Sequence, residues 1–117
     1  MKTHLALIAA SSYALALTPA FAGTQTGYVK DVYVRDSDGL VLVDLFGTAT
    51  GRAPCALGTS YWIVANESTD AGKRLYSTLL AAQLAGRLVS IEGKNTCSRW
   101  PDGEDIETVG VHGLQSQ

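Results

Sequence analysis

One stretch of this chain favours a helix, and the rest is cut into short β segments. From Asp70 to Ala85, the residues Ala71, Leu75, Thr78, Leu79 and Ala82 recur at spacings of three and four, which puts them on one helical face. Asn66-Glu67-Ser68-Thr69-Asp70 offers several N-caps before it. Gly86 suits the position just past the helix end, and Arg87 follows. Leu80 and Leu84 widen the apolar surface, so the helix is expected to be covered on more than one side.

The β segments fall on either side of that helix. Tyr28–Val34 (YVKDVYV) mixes β-branched and aromatic residues and reads as a strand. Asp36-Ser37-Asp38-Gly39 has turn composition, and Leu40–Phe46 (LVLVDLF) is a second strand, expected to be buried on most of both sides. Residues 47–60 are rich in Gly, Thr and Pro and read as a loop, followed by a short third strand at Tyr61–Ala65. After the helix come Leu88–Glu92 and, past a break at Gly93-Lys94-Asn95, the alternating Ile106–His112. The fold class is mainly β with one helix. The order βββαββ predicts a five-stranded OB-fold barrel, with an unclosed antiparallel sheet carrying one packed helix as the rival.

The first 22 residues stand apart from this pattern. Lys2 precedes an apolar run, Leu5–Leu17, and Pro19 is followed by Ala20-Phe21-Ala22, the small-x-small pattern of a signal peptidase site. A spanning helix needs about 20 apolar residues, so the run reads as a cleaved signal peptide rather than an anchor. Residues 1–22 are therefore assigned to the signal peptide and residues 23–117 to a single domain, periplasmic or secreted, with no membrane span in the mature chain. A domain of that size buries only about 60–65% of its unfolded surface. Cys55 and Cys97 are the only two cysteines, and an even number in an exported chain reads as a disulfide. Closing that loop contributes of order 4 kcal/mol in the chain-entropy view. Without Lys2, eight basic residues face eleven acidic ones, a net charge of −3. That balance argues against nucleic-acid binding.

Catalytic chemistry finds little support. His4 leaves with the leader, so His112 is the only histidine of the mature chain. A Ser-His-Asp arrangement is recognised by geometry rather than spacing, and no GxSxG raises its prior. No CxxC or CxH spacing suits a metal, and the calcium-loop fragment Asp36-x-Asp38-Gly39 would place Val34 and Leu45 at ligand positions. No phosphate loop occurs. No metal site, no cofactor and no enzymatic activity are expected. Asn66-Glu67-Ser68 matches a glycosylation acceptor, which the helix cap explains without modification.

Binding residues are easier to name. Tyr61, Arg99 and Trp100 set aromatic and polar groups near strand ends, in a form that suits sugars and protein partners alike. Trp62 is expected in the core. Trp100, just before Pro101, reads equally as a cap on the barrel end or as part of a recognition surface. The carboxylates Asp102, Glu104, Asp105 and Glu107 read as a solvated turn, with Ile106 resuming the sheet.

A cysteine just before "TSYWIV", the segment "AGKRLYSTLLAAQLAGRLVSIEG" and a second cysteine soon after the fourth strand resemble a family of small exported bacterial proteins. These are similar to the receptor-binding B subunits of pentameric toxins such as subtilase cytotoxin and the pertussis-like toxins. The resemblance implies an OB fold, a helix after the third strand, and ring-shaped assembly that binds glycans. The sequence therefore leads to an exported, non-enzymatic binding module for glycans or for envelope or host proteins. The alternative is a self-assembling structural protein of the bacterial envelope, a homo-oligomer joined through the helix, with no glycan ligand.

Overall fold

The structure is a computed structural model that describes Ala9 and residues 22–114. Apart from Ala9 and Ala22, the proposed signal peptide lies outside the described residues, as do the last three positions of the tail. The elements are β1 (Thr24–Val34), β2 (Val41–Leu45), a single 3₁₀ turn (Pro54–Ala56), β3 (Trp62–Ile63), α1 (Asp70–Ala85), β4 (Leu88–Gly93) and β5 (Glu104–Val111). The strands close into a barrel in the order β1-β2-β3-β5-β4, with β4 paired back onto β1. The β3–β5 pair is parallel and the others are antiparallel. Closure settles the choice between barrel and open sheet in favour of an OB-fold-like barrel with the expected βββαββ order.

β1 serves both halves of the barrel. Thr24–Tyr28 pairs with β4, and Val29–Val34 pairs with β2. The register shifts between Val29 and Asp31, where an irregularity bends the strand from one partner to the other. The strand starts four residues earlier than the sequence suggests, because its first turn inward uses Gln25 and Gly27 instead of large apolar residues. Gln25 Nε2 donates to the Gly47 carbonyl at 2.9 Å, and the Trp62 indole donates to Gln25 Oε1 at 2.8 Å. A Cβ on Gly27 would lie 2.0 Å from the Phe46 carbonyl oxygen, so only glycine lets the chain just past β2 run this close to β1.

β2 alternates, with Val41, Val43 and Leu45 buried and Leu42 and Asp44 partly exposed, so it is buried mainly on one side. The core gathers Val29, Val41, Val43, Leu45, Trp62, Val64, Leu79, Ala82, Val89, Ile91 and Ile106. Trp62 is fully buried, as its strand position implied. α1 matches the predicted span. Thr69 Oγ1 accepts from the Gly72 N–H at 3.1 Å, while Gly86, at φ 62°, ends the helix and lets Arg87 N–H reach the Ala82 carbonyl. Only Gly72, Leu79 and Ala82 of the helix are buried, and Leu84 is 81% exposed. The expectation of cover on several sides is therefore corrected: one face of α1 packs on the barrel and Leu84 points away from it.

The disulfide Cys55–Cys97 is formed, with Cα atoms 6.3 Å apart. It joins the 3₁₀ turn before β3 to the β4–β5 loop. Such a bond is compatible with an oxidising periplasmic or extracellular compartment. No described helix is long and apolar enough to cross a membrane.

Two of the carboxylates read as solvated are instead fully buried. β5 begins at Glu104, not Ile106, and Glu104 and Asp105 have no exposed surface. Each is satisfied by donors brought from elsewhere in the fold. Glu104 accepts backbone N–H groups from Gly23, Ala53 and Asn95. Asp105 accepts from the β4–β5 loop. Buried carboxylates persist where such hydrogen bonds replace water.

Candidate recognition surface at the barrel end

The β4–β5 loop is wrapped around Asp105. Its Oδ2 accepts from Thr96 Oγ1 at 2.8 Å, Ser98 N at 2.8 Å and Ser98 Oγ at 2.6 Å, and Oδ1 faces Arg99 N at 3.4 Å. Burial pushes this carboxyl up, but the hydrogen bonds from Ser98 and Thr96, with the Arg99 N–H, outweigh it and hold Asp105 below its ordinary value. The wrapped loop fixes where Arg99 and Trp100 leave the backbone.

Arg99 reaches across two further loops. Its Nη2 lies 2.8 Å from Glu67 Oε1, and Nε lies 3.1 Å from both Glu67 oxygens. Nη2 also donates to the Asp38 carbonyl at 2.9 Å. The Arg99 guanidinium lowers the Glu67 carboxyl, and Glu67 in turn raises Arg99. Asp38 sits in the β1–β2 turn, where Arg35 grips its carboxylate through Nε at 2.8 Å and through Nη2. The Arg35 hydrogen bond draws the Asp38 carboxyl far below the usual range. The same Arg35 guanidinium lies 4.6 Å from the centroid of the Trp100 ring. Asp38, Glu67, Arg99, Arg35 and Trp100 thus form one connected cluster of three loops.

Tyr61, at the entrance to β3, joins the edge of this cluster. Its hydroxyl donates to the Asp102 carboxylate, and Thr59 Oγ1 donates to the Asp102 carbonyl at 2.6 Å. Burial raises the phenol, the Asp102 carboxylate raises it further, and the Trp100 indole acts in the opposite sense. Gly103 permits this packing, since a Cβ there would meet Ile63 Cγ1 at 2.4 Å and Tyr61 Cε2 at 2.9 Å. All three residues singled out from the sequence, Tyr61, Arg99 and Trp100, are partly buried and lie at the same end of the barrel. Arg35, Asp38 and Glu67 carry no local sequence signal for this role. The Asp-Ser-Asp-Gly composition marked the turn, but nothing local to it named Arg99 as a partner 61 positions away.

A second region lies on the opposite part of the sheet. A cavity of about 680 Å³ is lined by Thr26, Tyr28, Arg87, Ser90, His112 and Leu114 among others. Ser90 Oγ lies 2.7 Å from His112 Nε2 and Thr26 Oγ1 lies 2.9 Å from Ser90 Oγ. Among the described residues no carboxylate hydrogen-bonds His112, so the third member of a Ser-His-acid arrangement is not assembled there. No group of three or more potential metal ligands occurs among the described residues. No family model, curated protein or solved structure matches the chain.

Proposed function

We propose that this is an exported, non-catalytic binding module whose recognition surface is the three-loop cluster around Trp100. The observation that carries the reading is the locking of the β1–β2, β3–α1 and β4–β5 loops into one network by Arg99 and Arg35. OB-type barrels use the β1–β2 and β4–β5 loops, beside strands two and three, to bind oligosaccharides and oligonucleotides. The net negative charge of the mature chain disfavours the nucleotide ligand and leaves glycans or a protein surface. A platform whose charges are already paired and whose indole is held by a cation loses little freedom on binding. The signal-peptide pattern and the disulfide support a periplasmic or secreted location. The resemblance to pentameric-toxin B subunits supports the same assignment.

A glycan array probed with the mature protein tests it. Saturable binding to a restricted set of glycans is expected, weakened at least tenfold in Trp100→Ala with the fold retained by circular dichroism. Absence of specific binding by the wild type to both glycans and envelope proteins overturns the proposal. The exposed Leu84 on α1 favours a second reading, a self-assembling structural protein joined through the helix. A monomer by light scattering at working concentrations removes it.

A further inference from the structure

The backbone nitrogen of Gly23 lies 3.0 Å from Glu104 Oε2, inside the barrel wall. Gly23 is also the residue that follows Ala20-Phe21-Ala22. We infer that removal of the leader after Ala22 creates an α-ammonium group at Gly23 that forms a buried ion pair with Glu104, so that export processing itself completes the fold. The inference rests on the reading of residues 1–22 as a cleaved signal peptide.

The chemistry is simple. Hydrolysis by an export peptidase breaks the Ala22–Gly23 amide C–N bond and adds one water. The products are a carboxylate on Ala22 and an ammonium on Gly23, with no net change in charge. Before cleavage, Glu104 meets a neutral amide N–H. After cleavage, it meets a full positive charge on the same nitrogen, and such charge-assisted hydrogen bonds are about twice as strong as neutral ones.

The surroundings are built around this contact. Glu104 is fully buried, and its other hydrogen bonds come from the backbone N–H groups of Ala53 and Asn95. Two glycines make room for the carboxylate. A Cβ on Gly93 would lie 1.7 Å from Glu104 Oε2, and one on Gly23 would lie 2.8 Å from Glu104 Oε1 and 2.9 Å from the Arg52 Cα. Gly23 is held in place independently of its nitrogen. Its carbonyl accepts from Gly93 N at 2.8 Å, and the next residue exchanges backbone hydrogen bonds with Thr50 in both directions. The nearby cation Arg52 is committed elsewhere. Its guanidinium lies 4.4 Å over the Trp62 ring and donates to the Tyr61 and Ser60 carbonyls, so it attracts Glu104 only at a distance. Glu92 and Lys94, at the end of β4, are exposed, and Lys94 pairs with Glu107 on β5 at 3.7 Å. Glu104 is therefore the buried carboxyl group that the new ammonium meets.

The test compares three mature proteins: one beginning at Gly23, one retaining Ala22 ahead of it, and one acetylated at Gly23. Denaturant unfolding at pH 7 is expected to give an unfolding constant on the order of tenfold smaller for the free Gly23 terminus, equivalent to an amine whose affinity for its proton rises about tenfold on folding. An amine raised in this way stabilises fully below its unfolded value near 8, and the advantage is lost as pH rises through the higher folded value. The three proteins should therefore converge at high pH. In a Glu104→Gln background the advantage should vanish. Should that variant not fold, direct ¹⁵N titration of the Gly23 amine in the wild type gives the answer, and an amine titrating at its ordinary value overturns the ion pair. Equal stabilities of the three proteins at pH 7 also overturn it. Mass spectrometry of the exported protein separates the premises. A mature chain starting elsewhere refutes the leader reading and this inference with it, whereas a start at Gly23 with equal stabilities refutes the ion pair alone.

Discussion

Replacing Asp105 by alanine is expected to destabilise the protein by about 3 kcal/mol. The side chain is fully buried and accepts from Thr96 Oγ1, Ser98 N, Ser98 Oγ and Arg99 N. Hydrogen bonds to a charged group contribute about 1.5–3 kcal/mol each when measured singly. They do not add here, because one carboxylate serves all four donors and the hydroxyls of exposed Thr96 and Ser98 regain water once released. What remains is the cost of leaving the Ser98 and Arg99 N–H groups without their acceptor, together with the small cavity. Asparagine keeps one acceptor oxygen without the charge and should cost about 1–1.5 kcal/mol. A domain of this size shifts its Tm by about 4–8 °C per kcal/mol, so thermal unfolding followed by circular dichroism should show a fall of about 12–24 °C for Asp105→Ala. Binding should weaken in parallel, because the wrapped loop orients Arg99 and Trp100. An Asp105→Ala protein within about 0.5 kcal/mol of wild type refutes the claim that this carboxylate organises the loop.

Other perturbations probe the packing at Gly93, the disulfide, the helix and the acidic groups in turn. Gly93→Ala should abolish folding or cost more than about 3 kcal/mol, because its Cβ has no space beside Glu104 and Trp62; soluble yield and denaturant titration read this out. Changing Cys55 and Cys97 together to serine should remove of order 4 kcal/mol, measured as a lower denaturant midpoint. Leu79→Ala should cost about 2–5 kcal/mol, while Leu84→Ala, on the exposed side of the same helix, should stay within about 0.5 kcal/mol in equilibrium unfolding. Asp38, Glu67 and Asp105 all have folded values below their unfolded ones, so their stabilisation is present above about pH 4 and is lost as pH falls through the lower folded values. A pH series of unfolding curves should show that acid loss, reduced when Arg99 is replaced by alanine.

The helix could be read from the sequence because its signals are local. Thr69 and Gly86 stand at the positions their backbone geometry demands, and the apolar spacing runs between them. Its exposure could not be read in the same way, since Leu84 is apolar by composition and exposed by position. Strand β1 lost its first four residues to the same limit. Gln25 and Gly27 face inward because Trp62 needs an acceptor and Phe46 passes close by, and both partners are distant in sequence. Glu104 and Asp105 show the limit most clearly. A run of carboxylates ordinarily favours water, and here Glu104 is reversed by backbone donors as far as 81 positions away. Tyr61, Arg99 and Trp100 were identifiable by residue type beside predicted strand ends. The Arg99–Glu67 ion pair, the Tyr61–Asp102 hydrogen bond and the Arg35–Trp100 contact were not, because they join loops that only barrel closure brings together.

The parallel pairing of β3 with β5 involves only two residues of β3, Trp62 and Ile63, against Glu104 and Asp105. With the equally short β2–β3 pairing it is the smallest rung set of the barrel, and the Cys55–Cys97 bond joins the turn before β3 to the loop before β5. Oxidation of Cys55 and Cys97 is therefore expected to favour closure. In the reduced chain, the ends of a loop of about forty residues must find one another unaided to complete those rungs, with the loop-closure entropy undiminished. Amide hydrogen exchange of the reduced protein should accordingly accelerate first at Trp62 and Ile63, while the β1–β2 hairpin keeps its protection. With the disulfide formed, the two ends of this seam are already tied, so the last rungs of the cylinder close from a shorter search.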